Sequence, residues 1–212
     1  MSEKFDEDID AIVERILFKK REETFENKLR KVARKLKELH RLSLVKINHS
    51  VMEVVVASEL LGKGFEVDVE HDLGSLVCDV YAEKGDGSLI VEVETGYVPP
   101  EHALDPLSYT YVRIISKVAR YSKFANKFVI ATPIDSYFQI DPLLIKTPNE
   151  RTEEEILRVK ELCDKYYKNP PIELEELKSA RLHGVMLINV DDAKVLELDP
   201  ERYLELISNL PR

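Results

Sequence analysis

Residues 6–42 contain neither Gly nor Pro. Apolar residues recur there at three- and four-residue steps: Ile9, Ile12, Val13, Ile16 and Leu17, then Phe25, Leu29, Val32, Leu36 and Leu39. That period predicts one long helix, or two consecutive ones, with a narrow apolar stripe. Residues 50–61, SVMEVVVASELL, are apolar almost all round and predict a buried helix stopped by Gly62 and Gly64. The alternation of FEVDV (65–69) fits a half-buried strand. LVCDVYA (76–82) and LIVEV (89–93) are two more strands, joined by a segment in which Gly85, Asp86 and Gly87 supply hairpin turn chemistry.

After a Pro-containing loop, residues 107–125 place Tyr111, Ile114, Ile115, Val118 and Ser122 on one helical face, and FVIAT (128–132) is a short buried strand stopped by Pro133. Beyond Pro148, RTEEEILRVKELCDKYYK predicts an amphipathic helix with acidic residues in its first turn, where the helix dipole favours them. Residues 173–181 read as helical, GVMLINV and KVLEL as a hairpin around Asp191 and Asp192, and PERYLELISNL as a terminal helix begun by Pro200. The order helix, three strands, helix, strand predicts an α/β fold, a mixed central sheet flanked by helices. The chain divides into a helical N-terminal arm (1–46), an α/β core (47–135) and a C-terminal α+β extension of that core (136–212).

Composition narrows the class. At 212 residues, 44% hydrophobic and 33% charged, the chain is globular rather than disordered. It holds no apolar run of about 18 residues, and its acidic start, MSEKFDEDID, is unlike a signal peptide, so a soluble, cytoplasmic protein without a membrane partner is expected. Cys78 and Cys163 form no CxxC and suggest two small buried side chains. Three Met, no Trp and abundant Glu and Lys resemble a heat-adapted composition.

The net charge of −9 excludes a uniformly basic nucleic-acid binder, yet residues 19–46 hold eleven basic and four acidic side chains, a local +7 that leaves −16 elsewhere. Two readings follow. Either the apolar stripe packs on the body or on a second copy, giving a homodimer with a solvated basic flank, or the flank, with Lys28, Lys31 and Lys35, lies along a phosphate backbone.

The chemistry lies in SLIVEVETG (88–96). Strand alternation puts Glu92 and Glu94 on one face, about 7 Å apart, opposite Val91 and Val93. The hairpin makes LVCDVYA the neighbouring strand, about 4.8 Å away, so Asp79 can converge with both glutamates. Carboxylates that close repel and lose hydration unless protons or a cation compensate. A divalent ion, Mg²⁺ or Mn²⁺, held by Asp79, Glu92 and Glu94 is the simplest compensation, and it suits phosphodiester hydrolysis.

Glu53 in a helix, Gly64 and Phe65 leading into a strand, then CDVYA, a turn and LIVEVET together resemble the PD-(D/E)XK nuclease superfamily, in particular its archaeal Holliday-junction-resolvase-like branch. The resemblance covers residues 50–132. It implies a restriction-endonuclease-like core, Asp79 and Glu92 as metal ligands, Glu53 as an auxiliary carboxylate, and DNA as partner. The chain departs from the pattern at Glu94, where most members have lysine; some restriction endonucleases are similar to it in having ExE. Glu94 can act as a base or a further ligand but supplies no positive charge. Arg113, Lys117 and Arg120, spaced i, i+4 and i+7 on the following helix, are candidates for the missing cation and for phosphate contacts, with Lys117 preferred because it sits mid-helix.

Plainer readings stand beside these. Ser50 and Glu53 spell a capping box. His71, His102 and His183 lack a partner at ligand spacing, and Tyr109, Tyr111 and Tyr121 have the spacing of core residues. No Walker, Rossmann or GxSxG pattern is present. Three functions are therefore compatible with the sequence: a metal-dependent endonuclease with Asp79, Glu92, Glu94, Glu53 and Lys117 in its site, a nuclease-like module that binds nucleic acid without cutting, or a coiled-coil interaction protein.

Overall fold

The computed structural model describes residues 2–209. Its centre is one six-stranded mixed sheet in the order β1-β2-β3-β4-β5-β6. The strands are β1 (Glu66–Asp72), β2 (Val77–Lys84), β3 (Gly87–Val93), β4 (Lys127–Pro133), β5 (Gly184–Asn189) and β6 (Lys194–Leu198). β1, β2 and β3 run antiparallel, β3, β4 and β5 parallel, and β6 antiparallel to β5. The β2–β3 hairpin closes through Gly85 and Asp86, and Gly85 takes the positive φ of +59° that such a tight turn needs. The parallel step from β3 to β4 is made by a helical crossover, as parallel pairing requires.

Among the described residues, seven α-helices cover both faces: α1 (Ser2–Lys19), α2 (Glu23–Arg41), α3 (Ile47–Gly62), α4 (Pro106–Tyr121), α5 (Glu153–Asp164), α6 (Leu174–Ser179) and α7 (Pro200–Ser208). Strand alternation sorts the core in two. Val91, Val93, Val129, Ala131, Met186 and Ile188 pack with α1, α2 and α3, while Ile90, Phe128, Ile130, Val185 and Leu187 pack with α4 to α7. Among the described residues, no helix is long and apolar enough to cross a membrane.

The N-terminal stretch is two helices, not one, and it is not a free arm. The chain leaves helical geometry at Glu22 (φ −123°, ψ 125°), inside the polar run KKREET, which has no apolar face to bury. The stripes of α1 and α2 then close against α3 and the sheet, with Ile9, Leu29 and Leu36 fully buried. The stripe that suggested a coiled coil or a dimer is thus satisfied within one chain. Of the three stretches 1–46, 47–135 and 136–212, the sheet runs through the second and third, because β5 and β6 extend it beyond β4, and the helices of the first pack into the core on one of its faces.

The capping-box reading of Ser50 and Glu53 is overturned. α3 begins at Ile47 with Lys46 as its N-cap, so Ser50 already lies inside the first turn and Glu53 lies in the second. Glu53 is free for another role.

Because Leu29 is fully buried where α1, α2 and α3 meet, Leu29→Ala should destabilise the whole domain by about 2–5 kcal/mol. Thermal unfolding followed by circular dichroism should show one transition at a lower midpoint. An unchanged midpoint with only local loss of helix would mean that α2 is not part of the core.

Candidate metal centre

The ladder between β2 and β3 holds from Lys84↔Gly87 to Val80↔Val91 and goes no further. Beyond that pair, side chains take over the hydrogen bonds. The Asp79 N–H donates to Glu92 Oε1 (3.1 Å), and the Val93 N–H donates to Asp79 Oδ2 (2.6 Å). β3 meanwhile stays attached to β4, and the Glu94 N–H still reaches the Ala131 carbonyl at 2.7 Å. The two strands therefore part with a pair of carboxylates wedged between them. The face alternation breaks at the same place, since Val80 packs toward α3 whereas Cys78 packs toward α4.

From one side α4 inserts Lys117. Its ammonium donates to the Val93 carbonyl at 2.7 Å and lies 3.3 Å from Glu92 Oε2, 3.9 Å from Asp79 Oδ2 and 4.0 Å from Glu94 Oε2. One turn earlier, Arg113 places Nε 2.9 Å from Glu94 Oε2 and donates to the Tyr97 carbonyl. The Gly96 N–H donates to Glu94 Oε1 at 3.0 Å. Gly96 has φ +73°, and a Cβ there would meet Ser136 Oγ at 3.0 Å, so glycine is required.

From the other side α3 presents His49 and Glu53, one turn apart on one helical face. His49 Nδ1 stands 3.9 Å from Asp79 Oδ1. Glu53 is fully buried, and neither of its carboxylate oxygens has a hydrogen-bond partner. One ligand atom each from His49, Glu53 and Asp79 lie within 4.8 Å of one another, a spacing that fits a single shared cation. Glu70 is the β1 acid whose charge acts on Glu53. It sits mid-strand at φ +46°, a conformation costly for a non-glycine residue and one that tends to mark functional sites.

Five carboxylates, Glu53, Glu70, Asp79, Glu92 and Glu94, thus share this region with two permanent cations, Lys117 and Arg113. Burial, then the charges of Asp79, Glu70 and Glu92, hold the Glu53 carboxyl well above its usual range. Burial, then Asp79, push Glu92 up to about 8 against the pull of Lys117, and the same two causes push Glu70 up to about 7. Burial opposes the Lys117 charge, but Glu92, Asp79 and Glu94 outweigh it and raise the group. Burial lowers His49 in spite of Asp79, which favours the neutral imidazole that a cation binds. Burial and like-charge repulsion thus raise Glu53, Glu70 and Glu92 together, which favours their protonated forms in this cluster.

The structure brings together five residues singled out in the sequence: Asp79, Glu92, Glu94, Glu53 and Lys117. Lys117 lies among Asp79, Glu92 and Glu94, the three carboxylates expected as ligands, while the potential ligand atoms that lie within 4.8 Å of one another are those of His49, Glu53 and Asp79. Arg113 is at the rim of the site, but Arg120 is not. Arg120 stacks on Tyr167 at 5.1 Å and bonds the Pro170 carbonyl, tying α4 to the segment after α5.

The basic flank of α2 is largely neutralised. Lys28 pairs with Glu66 and Lys35 with Asp68, both on β1, while Arg30, Lys37 and Arg41 pair with Glu14, Asp10 and Asp6 of α1. Lys31 is exposed and has no ion pair among the described residues. Sequence reasoning missed His49 and Glu70. The i, i+4 spacing of His49 and Glu53 was the available signal for the first; nothing local marks the second.

Comparison with protein-family models, with curated proteins and with solved structures finds no match to this chain.

In the metal-free protein Glu92 binds its proton more tightly folded, at about 8, than at its ordinary value of 4.5. Its favourable contribution is therefore complete below about pH 4.5 and lost as the pH rises toward 8, at no more than about 1.4 kcal/mol per pH unit. Glu92→Gln should flatten the fall in unfolding free energy between pH 5 and 8, measured by urea denaturation. An unchanged slope would show that Glu92 does not carry it.

Proposed function

We propose that the protein is a divalent-metal-dependent phosphodiesterase of the PD-(D/E)XK type, acting on nucleic acid, with DNA as the expected substrate. The observation that carries this reading is the two-sided arrangement around Asp79: a lysine ammonium among Asp79, Glu92 and Glu94, and a group of potential ligand atoms from His49, Glu53 and Asp79 opposite it. The fold supports it, because the helix-strand-strand-strand-helix-strand order of α3, β1, β2, β3, α4 and β4 is that of the superfamily core the motif resembles.

The residues present fit a divalent ion, since Glu53 is a fully buried carboxylate with both oxygens unpartnered and aimed at the acids. Glu53, Asp79 and His49 would hold Mg²⁺ or Mn²⁺, which when bound supplies positive charge for a phosphate oxygen and makes a water more acidic. The remaining functions fall to the protein's own groups. Asp79 is fixed by the Val93 N–H, and Glu92 by the Asp79 N–H and Lys117, so both are oriented before substrate arrives. Lys117 supplies from α4 the cation that most members of the superfamily place at the position of Glu94. Glu94 in turn anchors Arg113 at the rim, where a guanidinium can meet phosphate.

A groove of about 690 Å³ is lined by Lys4, Asp8, Arg15, Asn48, Thr95 and Asp191 among others, and it includes Asn48 and Thr95, the chain neighbours of His49 and Glu94.

A cleavage assay with Mn²⁺ or Mg²⁺ on supercoiled, single-stranded and branched DNA and on RNA tests this function. The wild type should cut at least one DNA substrate. Asp79→Asn should lose activity by about 10³-fold and Lys117→Ala by about 10²-fold, the scale for losing a charge-stabilising group. If the wild type binds these substrates but cuts none of them, the protein is a binding module; equal cutting by all three proteins would place the chemistry elsewhere.

A second prediction concerns cation count. Because Lys117 fills one of two cation positions, calorimetry with Mn²⁺ should give one ion per chain in the wild type and two in Lys117→Ala. One ion in both would mean that Lys117 does not stand in for a metal.

A further inference from the structure

The two cation positions differ in donor chemistry. Around Lys117 every facing group is an oxygen: Asp79 Oδ2, Glu92 Oε2, Glu94 Oε2 and the Val93 carbonyl. The open position has a nitrogen ligand in place of one carboxylate. We propose that His49 is a direct ligand that makes this centre selective for a first-row transition cation of the Mn²⁺ class over Mg²⁺. The proposal rests on the metal centre described above and goes beyond it by naming the ion.

Asp79 Oδ2 and Glu92 Oε1 are occupied by backbone N–H groups, and Glu92 Oε2 faces Lys117. On the α3 side this leaves Asp79 Oδ1 and the two unpartnered oxygens of Glu53. The imidazole lines up with them because positions 49 and 53 of α3 share a face. Its Nδ1 is 3.9 Å from Asp79 Oδ1, too far for a hydrogen bond, and the ring makes none among the described residues. The imidazole is therefore held against the carboxylates without a protein partner of its own, while the orphaned, fully buried Glu53 marks the space they share as built for something else.

An ion held there has one nitrogen and carboxylate oxygens as its protein ligands. Mg²⁺ demands near-octahedral oxygen and surrenders water reluctantly, so it gains little from the ring. Mn²⁺ stands at the low end of the first-row affinity order and shares the carboxylate preference of Mg²⁺, so the imidazole is the ligand that separates the two, since a transition cation accepts a nitrogen donor more readily than Mg²⁺ does.

The test uses MnCl₂ and MgCl₂ with the full chain, by calorimetry and by pulsed electron paramagnetic resonance of bound Mn²⁺. The wild type should bind Mn²⁺ at least about 10-fold more tightly than Mg²⁺, with ¹⁴N modulation from a directly bound imidazole. His49→Asn should weaken Mn²⁺ binding about 10- to 100-fold, change Mg²⁺ binding little and abolish the ¹⁴N signal. His49→Asp, which restores an oxygen ligand, should narrow the preference toward Mg²⁺. Equal affinities in the wild type, or absence of ¹⁴N modulation, would overturn the role of His49 and leave the metal centre standing. If the wild type binds neither ion, the metal centre falls and this inference with it. Should either variant misfold, the wild-type spectrum still decides.

Discussion

The molecule is organised around an excess of buried negative charge where β2 and β3 come apart. Five carboxylates meet there with two permanent cations, and at least two of the acids, Glu53 and Glu92, lie almost wholly out of water. Carboxylates in a low-dielectric interior are tolerated only when paired, protonated or bound to metal. The protein uses the first two remedies in part: Lys117 and Arg113 on one side, proton uptake by Glu92, Glu70 and Glu53 across the cluster.

That concentration depends on a local failure of the sheet. In an intact sheet each side chain belongs to one face, and α3 and α4, packed on opposite faces, would never reach the same residue. Because backbone pairing between β2 and β3 stops at Val80↔Val91, Asp79 can stand 3.9 Å from His49 of α3 and 3.9 Å from Lys117 of α4. The two carboxylates that open the gap also accept the N–H groups that the lost ladder would leave unpaired, so the split costs no buried orphan donor. Structural repair and site construction are the same two hydrogen bonds.

Elsewhere the charges have a different purpose. Five basic residues of α2 pair with acids of α1 and β1, at largely solvent-accessible pairs each worth little alone. Together they give the N-terminal helices a fixed register over the sheet edge. Their apolar stripes supply the stability, and those helices act as one cover of the domain rather than as an appendage.

The sequence by itself determined the elements, their order and the α/β class, because periods of 3.6 and 2 are properties of the chain. It also determined that Asp79, Glu92 and Glu94 would meet, since a hairpin turn and strand alternation fix the faces of neighbouring strands, and Lys117 was legible as a mid-helix cation after a carboxylate-bearing strand. Only the tertiary structure decided which cation goes where. The distance between α3 and α4 across the split is set by packing on both faces of the sheet, which no local pattern encodes. The same holds for His49, for the strained Glu70 and for Lys28, Lys35 and Arg120: spacing shows that a side chain carries charge or a lone pair, but only the folded chain shows whether its partner is already in place.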